Sequence, residues 1–144
     1  MSTIFVPLDA AALSMGADEV ADAIVNEASK RKLDVRVIRN GSRGMFWLEP
    51  MVEVETPEGR VAYGPVKARD VPDLFDAGLG GPHPLFLGDS AEIPFFRNQQ
   101  RLTFARVGTT DPLSLDDYRA HDGLKGLTKA VAMAPADIVK EVTE

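Results

Sequence analysis

The sequence predicts an α/β fold, one mixed sheet with helices packed on it, followed by a helical segment. Three patterns lead there. An apolar run, an amphipathic helix and an alternating run follow one another in the first forty residues. A valine-rich hairpin comes next, and beyond a glycine- and proline-rich stretch the pattern turns helical.

Residues 3–8 form a short apolar run that suits a buried strand, with Pro7 at its end or edge. Over 17–32 the apolar positions Val20, Ala21, Ile24, Val25 and Ala28 recur at three and four. Asp18 and Glu19 stand early and Lys30, Arg31 and Lys32 late, as a helix dipole favours. Residues 34–38 alternate Val35 and Val37 with charged neighbours, and the short link from the helix predicts a βαβ unit with a right-handed crossover.

Residues 39–50 read as a loop with two glycines and the chain's one tryptophan. Its backbone amides could cradle an anion with Arg39 and Arg43 beside them. The preferred reading is a tight turn in which Met45, Phe46, Trp47 and Leu48 fill the core, because no helix pattern follows to supply an amide cluster. Residues 51–56 and 60–66 form a hairpin across Thr56-Pro57-Glu58-Gly59. Residues 70–77 place Val71, Leu74 and Phe75 at helical spacing, with Gly78 as cap.

Gly78, Gly80, Gly81, Pro82 and Pro84 are expected to end the first domain, giving a division into 1–88 and 89–144. Beyond it, residues 101–107 read as a strand containing Leu102, Phe104 and Val107. Ser114 with Asp117 three residues on opens a helix. Two short helices complete the chain, one near 124–133 and one from Pro135. The last runs into Glu144 without a glycine cap, which leads to the expectation that a longer protein continues from here.

Twenty-two acidic residues against sixteen basic ones give a net charge of −6, and the basic residues are scattered, which argues against nucleic acid as a partner. The Lys30-Arg31-Lys32 cluster is read as a helix end. No apolar run approaches the roughly 20 residues of a membrane span and the N-terminus lacks a signal pattern, so the expected location is the cytoplasm. With no cysteine, thiolate catalysis and thiolate ligation of metals are excluded within the chain. His83 and His121 each lack a second histidine at ligand spacing. The carboxylate pairs Asp18 and Glu19, Asp116 and Asp117, and Asp70 with Asp73 fall at helix starts, where capping explains them. Gly78 to Gly81 precedes prolines instead of opening a helix, so it is not a dinucleotide fingerprint. No residue is assigned a catalytic, cofactor-binding or metal-binding role, and the segment is read as structural and docking in character.

Three stretches carry a resemblance: 101–108, RLTFARVG; 111–130, DPLSLDDYRAHDGLKGLTKA; and 134–142, APADIVKEV. They resemble the opening of the NADH-binding flavoprotein subunit of respiratory complex I and, more closely, the beta subunit of NAD-dependent formate dehydrogenase. That resemblance implies that residues 89–144 lead into an FMN- and NADH-binding domain whose cofactor loop lies just past Glu144. It also implies that residues 1–88 are a thioredoxin-like ferredoxin domain, which in that family holds a two-iron two-sulfur cluster on two cysteine pairs. Pro7 and Ala12 stand where the first pair would be. The second pair would fall in the loop of Asn40, Gly41, Ser42, Arg43 and Gly44. The resemblance therefore implies a domain without cluster ligands and no cofactor in this chain, within a parent that uses FMN, NAD and iron–sulfur clusters. The implied partners are the rest of the flavin subunit and the other subunits of a hetero-oligomeric dehydrogenase. A complex I or NAD-reducing hydrogenase subunit, or an independent thioredoxin-like binding module, are the alternatives.

Overall fold

The computed structural model describes every residue from Met1 to Glu144. Two compact units divide the chain, residues 1–111 and 112–144. The expected division after residue 88 falls inside the first of them.

The first unit is a mixed sheet of five strands: β1 (Ser2–Pro7), β2 (Val35–Asn40), β3 (Val52–Thr56), β4 (Gly59–Tyr63) and β5 (Phe86–Asp89), in the order β2-β1-β3-β4-β5. β1 and β2 run parallel and every other pair is antiparallel. The crossover from β1 to β2 carries α1 (Ala10–Ser14) and α2 (Ala17–Arg31), so the expected βαβ unit is present with an extra helix before the predicted one. The Asp9 carboxylate accepts from the amides of Ala11 and Ala12 to start α1, a five-residue helix too short to announce itself by periodicity. Left-handed Gly16 (φ 96°) makes the break between α1 and α2.

On one face of the sheet, Ile4, Val6, Val52, Val54 and Tyr63 pack with Val20, Ala21, Ile24 and Ala28 of α2. Val71, Leu74 and Phe75 of α3 (Val71–Asp76) complete that core. Arg31 ties the two helices together, bonding Asp76 at 2.6 Å and lying over the Phe75 ring. The middle residue of the basic trio is therefore a helix-to-helix tether.

The glycine- and proline-rich stretch does not close the unit. It returns the chain to the sheet as β5, which pairs with β4 through Val61 and Asp89, Ala62 and Gly88, and Tyr63 and Phe86. The Tyr63 hydroxyl donates to the Gly81 carbonyl at 2.9 Å and fixes this return. Four residues that include Gly88 carry too little alternation to read as a strand.

The second face is covered by irregular chain. Residues 41–51, α4 (Pro94–Arg97) and the stretch up to Thr110 lie over it. Residues 101–107, expected as a strand, instead form successive turns, with Val107 N bonding Phe104 O at 3.1 Å and Thr109 N bonding Arg106 O at 3.0 Å. Those local bonds satisfy the backbone without a sheet edge.

A second correction concerns residues 45–48. Phe46–Leu48 is a 3-10 turn, and three residues per turn bring Met45 and Leu48 to the same side. Met45 is buried and Leu48 packs beside it, while Phe46 and Trp47 are 60% and 65% exposed instead of filling the core.

The second unit holds α5 (Leu115–Ala120), α6 (Lys125–Val131) and α7 (Pro135–Thr143). Ser114 caps α5, its hydroxyl accepting from Asp117 N at 3.1 Å as the spacing predicts. Lys129 pairs with Glu141 to hold α6 to α7. No residue of this unit is buried, and Leu113, Val131 and Val142 are among its exposed apolar side chains. No helix of the chain is long and apolar enough to cross a membrane.

Candidate functional site

Because β1 and β2 are parallel, the loops that follow them start side by side. Pro7 is in register with Asn40, and Leu8 N donates to Asn40 O at 2.8 Å. Chains that leave the carboxyl ends of neighbouring parallel strands form a natural crevice for a ligand. Polar groups fill this one.

Arg39 turns back over the strand end, bonding the carbonyls of Val6 and Pro7 at 3.3 and 3.1 Å and pairing with Asp18 at 2.8 Å. The buried Asn40 donates through Nδ2 to Gly108 O at 2.7 Å. Ser42 donates to Glu49 Oε1 at 2.6 Å and accepts from Gly44 N, and Glu49 Oε2 accepts from Met51 N at 3.0 Å. Glu49 is buried, and loss of hydration raises its pKa above the ordinary carboxylate value. The bonds from Ser42 and Met51 oppose that rise, while the charges of Asp9 and Glu53 add to it.

Arg43 makes a two-point ion pair with Glu53, at 3.1 Å from Nε and 2.8 Å from Nη2. Glu53 lies in mid-strand, opposite Phe5 on β1 and Ala62 on β4, and is 1% exposed. A carboxylate so placed needs a partner held close, which the guanidinium fork supplies. Arg60, two residues from Ala62 on the same face, covers the Phe5 ring and donates to the carbonyls of Gly108 and Thr109 at 3.0 and 2.8 Å. Asn40 and Arg60 thus hold one carbonyl between them and clamp the 101–109 stretch to the sheet. Gly108 adopts φ 80°, and a Cβ there would lie 2.4 Å from Arg43 Cδ.

Arg39 and Arg43, read as possible anion ligands, both turn inward onto protein groups. His83 sits elsewhere, its Nδ1 accepting from Leu85 N with the ring edge-on to Tyr63. His121 lies in the other unit beside Asp117 on α5. Asp70 accepts from Lys67 N, and Asp116 pairs with Arg119. Sequence reasoning missed Glu49, Glu53, Asn40 and Arg60 as members of one network. Glu53 alternates with valines like any solvent-facing strand residue, so only knowledge of what covers the second face distinguishes it.

No family model matches the chain. Solved structures share its fold. A thioredoxin-like [2Fe-2S] ferredoxin from Aquifex aeolicus matches at 21% identity over 65% of this chain and 96% of that one, with a TM-score of 0.55. The wild-type form in another structure matches at 23% identity over 62% and 98%, with a TM-score of 0.53. A cysteine-to-serine variant gives 23%, 62%, 100% and 0.54. At these identities the likeness establishes the fold, which is that of the thioredoxin-like ferredoxins.

These neighbours stand against the expectation that no cofactor belongs to this chain, since the solved proteins that share its fold are [2Fe-2S] ferredoxins. The residues at the strand ends do not fit that group. There is no cysteine, and no cluster of three or more His, Cys, Asp or Glu side chains is arranged for a metal; Ser42, Arg43, Glu49 and Glu53 are bonded to one another in pairs, and the buried oxygens without a partner there, Asn40 Oδ1 and Asp9 Oδ2, are no substitute for thiolates.

Proposed function

We propose that this chain is a docking segment of an NAD-dependent formate dehydrogenase flavin subunit. Its parent complex oxidises formate and reduces NAD through iron–sulfur clusters and FMN. The first unit, residues 1–111, acts as the thioredoxin-like ferredoxin domain, and the helical unit 112–144 leads into the flavin domain. One observation carries the reading: a thioredoxin-like ferredoxin fold is joined in one chain to a helical unit, 112–144, that buries none of its own side chains. Helices this short owe their stability to packing, and three that present Leu115, Leu127, Val131, Val139 and Val142 to the outside suit the border of a larger domain. The family resemblance of 101–142 selects the flavin subunit among possible parents, and the inward-turned polar network supports a structural role for the first unit.

Co-expression tests the proposal. The chain, carrying an affinity tag, is purified from a host that makes the other formate dehydrogenase subunits. Stoichiometric co-elution is expected, and elution of the chain alone would reject the docking role.

A further inference from the structure

Four aromatic and cationic contacts follow one another across the layer that covers the second face of the sheet. Trp47 meets Phe95 edge-on with ring centres 5.6 Å apart, and Phe95 meets Phe96 at 5.5 Å. The guanidinium groups of Arg43 and Arg101 lie over Phe96 at 5.4 and 5.7 Å. Next to them, Gln99, Gln100, Arg101, Leu102, Thr103 and Phe104 line a cleft of about 410 Å³. Trp47, Leu102 and Phe104 are 65%, 79% and 61% exposed, so the series is open at both ends.

Its charge runs against the rest of the molecule. Segments 39–48 and 93–110 contain five arginines and no aspartate or glutamate, in a chain of net charge −6. Arg39 and Arg43 are engaged by Asp18 and Glu53. Arg101 has no carboxylate: it donates to the Arg43 carbonyl at 3.3 Å and stacks on Phe96, and burial together with the Arg43 charge lowers its pKa. A stacked guanidinium beside a second one is a receptor for carboxylate, which it binds with two parallel bonds. Tryptophan, phenylalanine and arginine are also the side chains that anchor protein interfaces.

Resting on the docking reading above, we propose that this surface seats an acidic segment of a partner subunit, with a carboxylate on Arg101 and apolar side chains against Trp47 and in the Leu102 and Phe104 cleft. A nucleic acid fits less well, because phosphate tracking needs a row of unengaged cations and three of these five arginines, Arg39, Arg43 and Arg97, already pair with carboxylates of the chain.

The test measures binding of the full chain to the purified remaining subunits of the formate dehydrogenase. Arg101→Glu and Trp47→Ala are each expected to weaken it by about 30-fold, the effect of losing an interface anchor. Arg101→Lys should retain part of the affinity, and raised salt should weaken the wild type. Lys30→Glu, on the helical side of the sheet, should bind as the wild type does. Circular dichroism confirms that each variant is folded; Trp47 projects outward, so its replacement keeps the inference testable if Arg101→Glu does not fold. Wild-type binding left unchanged by Arg101→Glu and Trp47→Ala would overturn this inference and leave the docking role intact. Absence of wild-type binding would overturn both. Self-association of the chain, or binding of a single-stranded oligonucleotide, that is abolished by the same substitutions would overturn the acidic partner.

Discussion

Asn40 and Gly108, 68 positions apart, are joined by a buried hydrogen bond of 2.7 Å from the Asn40 amide to the Gly108 carbonyl. It fastens the irregular cover of the sheet to the end of β2. Asn40→Ala should cost about 1–2 kcal/mol, the loss of one buried bond. Arg60 still reaches the same carbonyl, so the fold should survive. Urea unfolding measures the cost, and hydrogen exchange at residues 108–110 should accelerate selectively.

Arg43→Ala should be far more harmful, because it leaves Glu53 in mid-sheet with its charge uncompensated. Loss of one member of a buried pair costs about 3–5 kcal/mol. The double variant Arg43→Met, Glu53→Met removes both charges and should recover much of that loss. A double-mutant cycle in denaturant separates the two effects, and equal losses in the single and double variants would refute the pairing.

Glu49 predicts a pH dependence of definite sign. Its pKa is raised on folding, so the folded state holds the proton more tightly than the unfolded one. Stability from this group is complete below the ordinary carboxylate value of 4.5 and falls as pH rises from there through the raised value. Glu49→Gln can still accept from Met51 and donate to Ser42. It should be more stable than the wild type at neutral pH, with the gap closing in acid; thermal unfolding across pH 4 to 8, roughly the carboxylate range and above, would show it.

Gly64→Ala should destabilise the first unit, since the added Cβ would lie 2.7 Å from the Leu48 carbonyl oxygen, a backbone atom with little room to move. Overpacking of this kind costs about 1–3 kcal/mol. An unchanged denaturation midpoint would contradict the close approach.

Residues 1–111 on their own should unfold in one cooperative transition with the midpoint of the full chain. Every buried side chain belongs to that unit, and residues 112–144 bring no core with them. A much lower midpoint for the shortened chain would show that the helical unit supports the sheet.

The helical face of the sheet was legible in the sequence because valines at period two and apolar residues at three and four each report one buried side. Val52 and Val54, and Val20 and Ile24, are instances. The second face was not, because irregular chain covers it and its central contacts are polar. Residues 101–107 contain a strand-like set of apolar residues, but Leu102 and Phe104 point outward and the backbone bonds to itself. Asn40, Glu49 and Glu53 find their partners Gly108, Ser42 and Arg43 through chain reversals that no local pattern encodes. The site was therefore readable only as two loops without cysteine, and the ion pairs that fill the space came from the fold.

The 3-10 turn at Phe46–Leu48 divides four neighbouring side chains between two tasks. Met45 and Leu48 face the sheet, while Phe46 and Trp47 face away from it. Variation can therefore act on the two pairs separately: changes at 46 and 47 alter the outer surface and, at 47, the edge contact with Phe95, while Met45 and Leu48 keep their packing. A library confined to those two outward positions would explore new binding specificities on an unchanged scaffold.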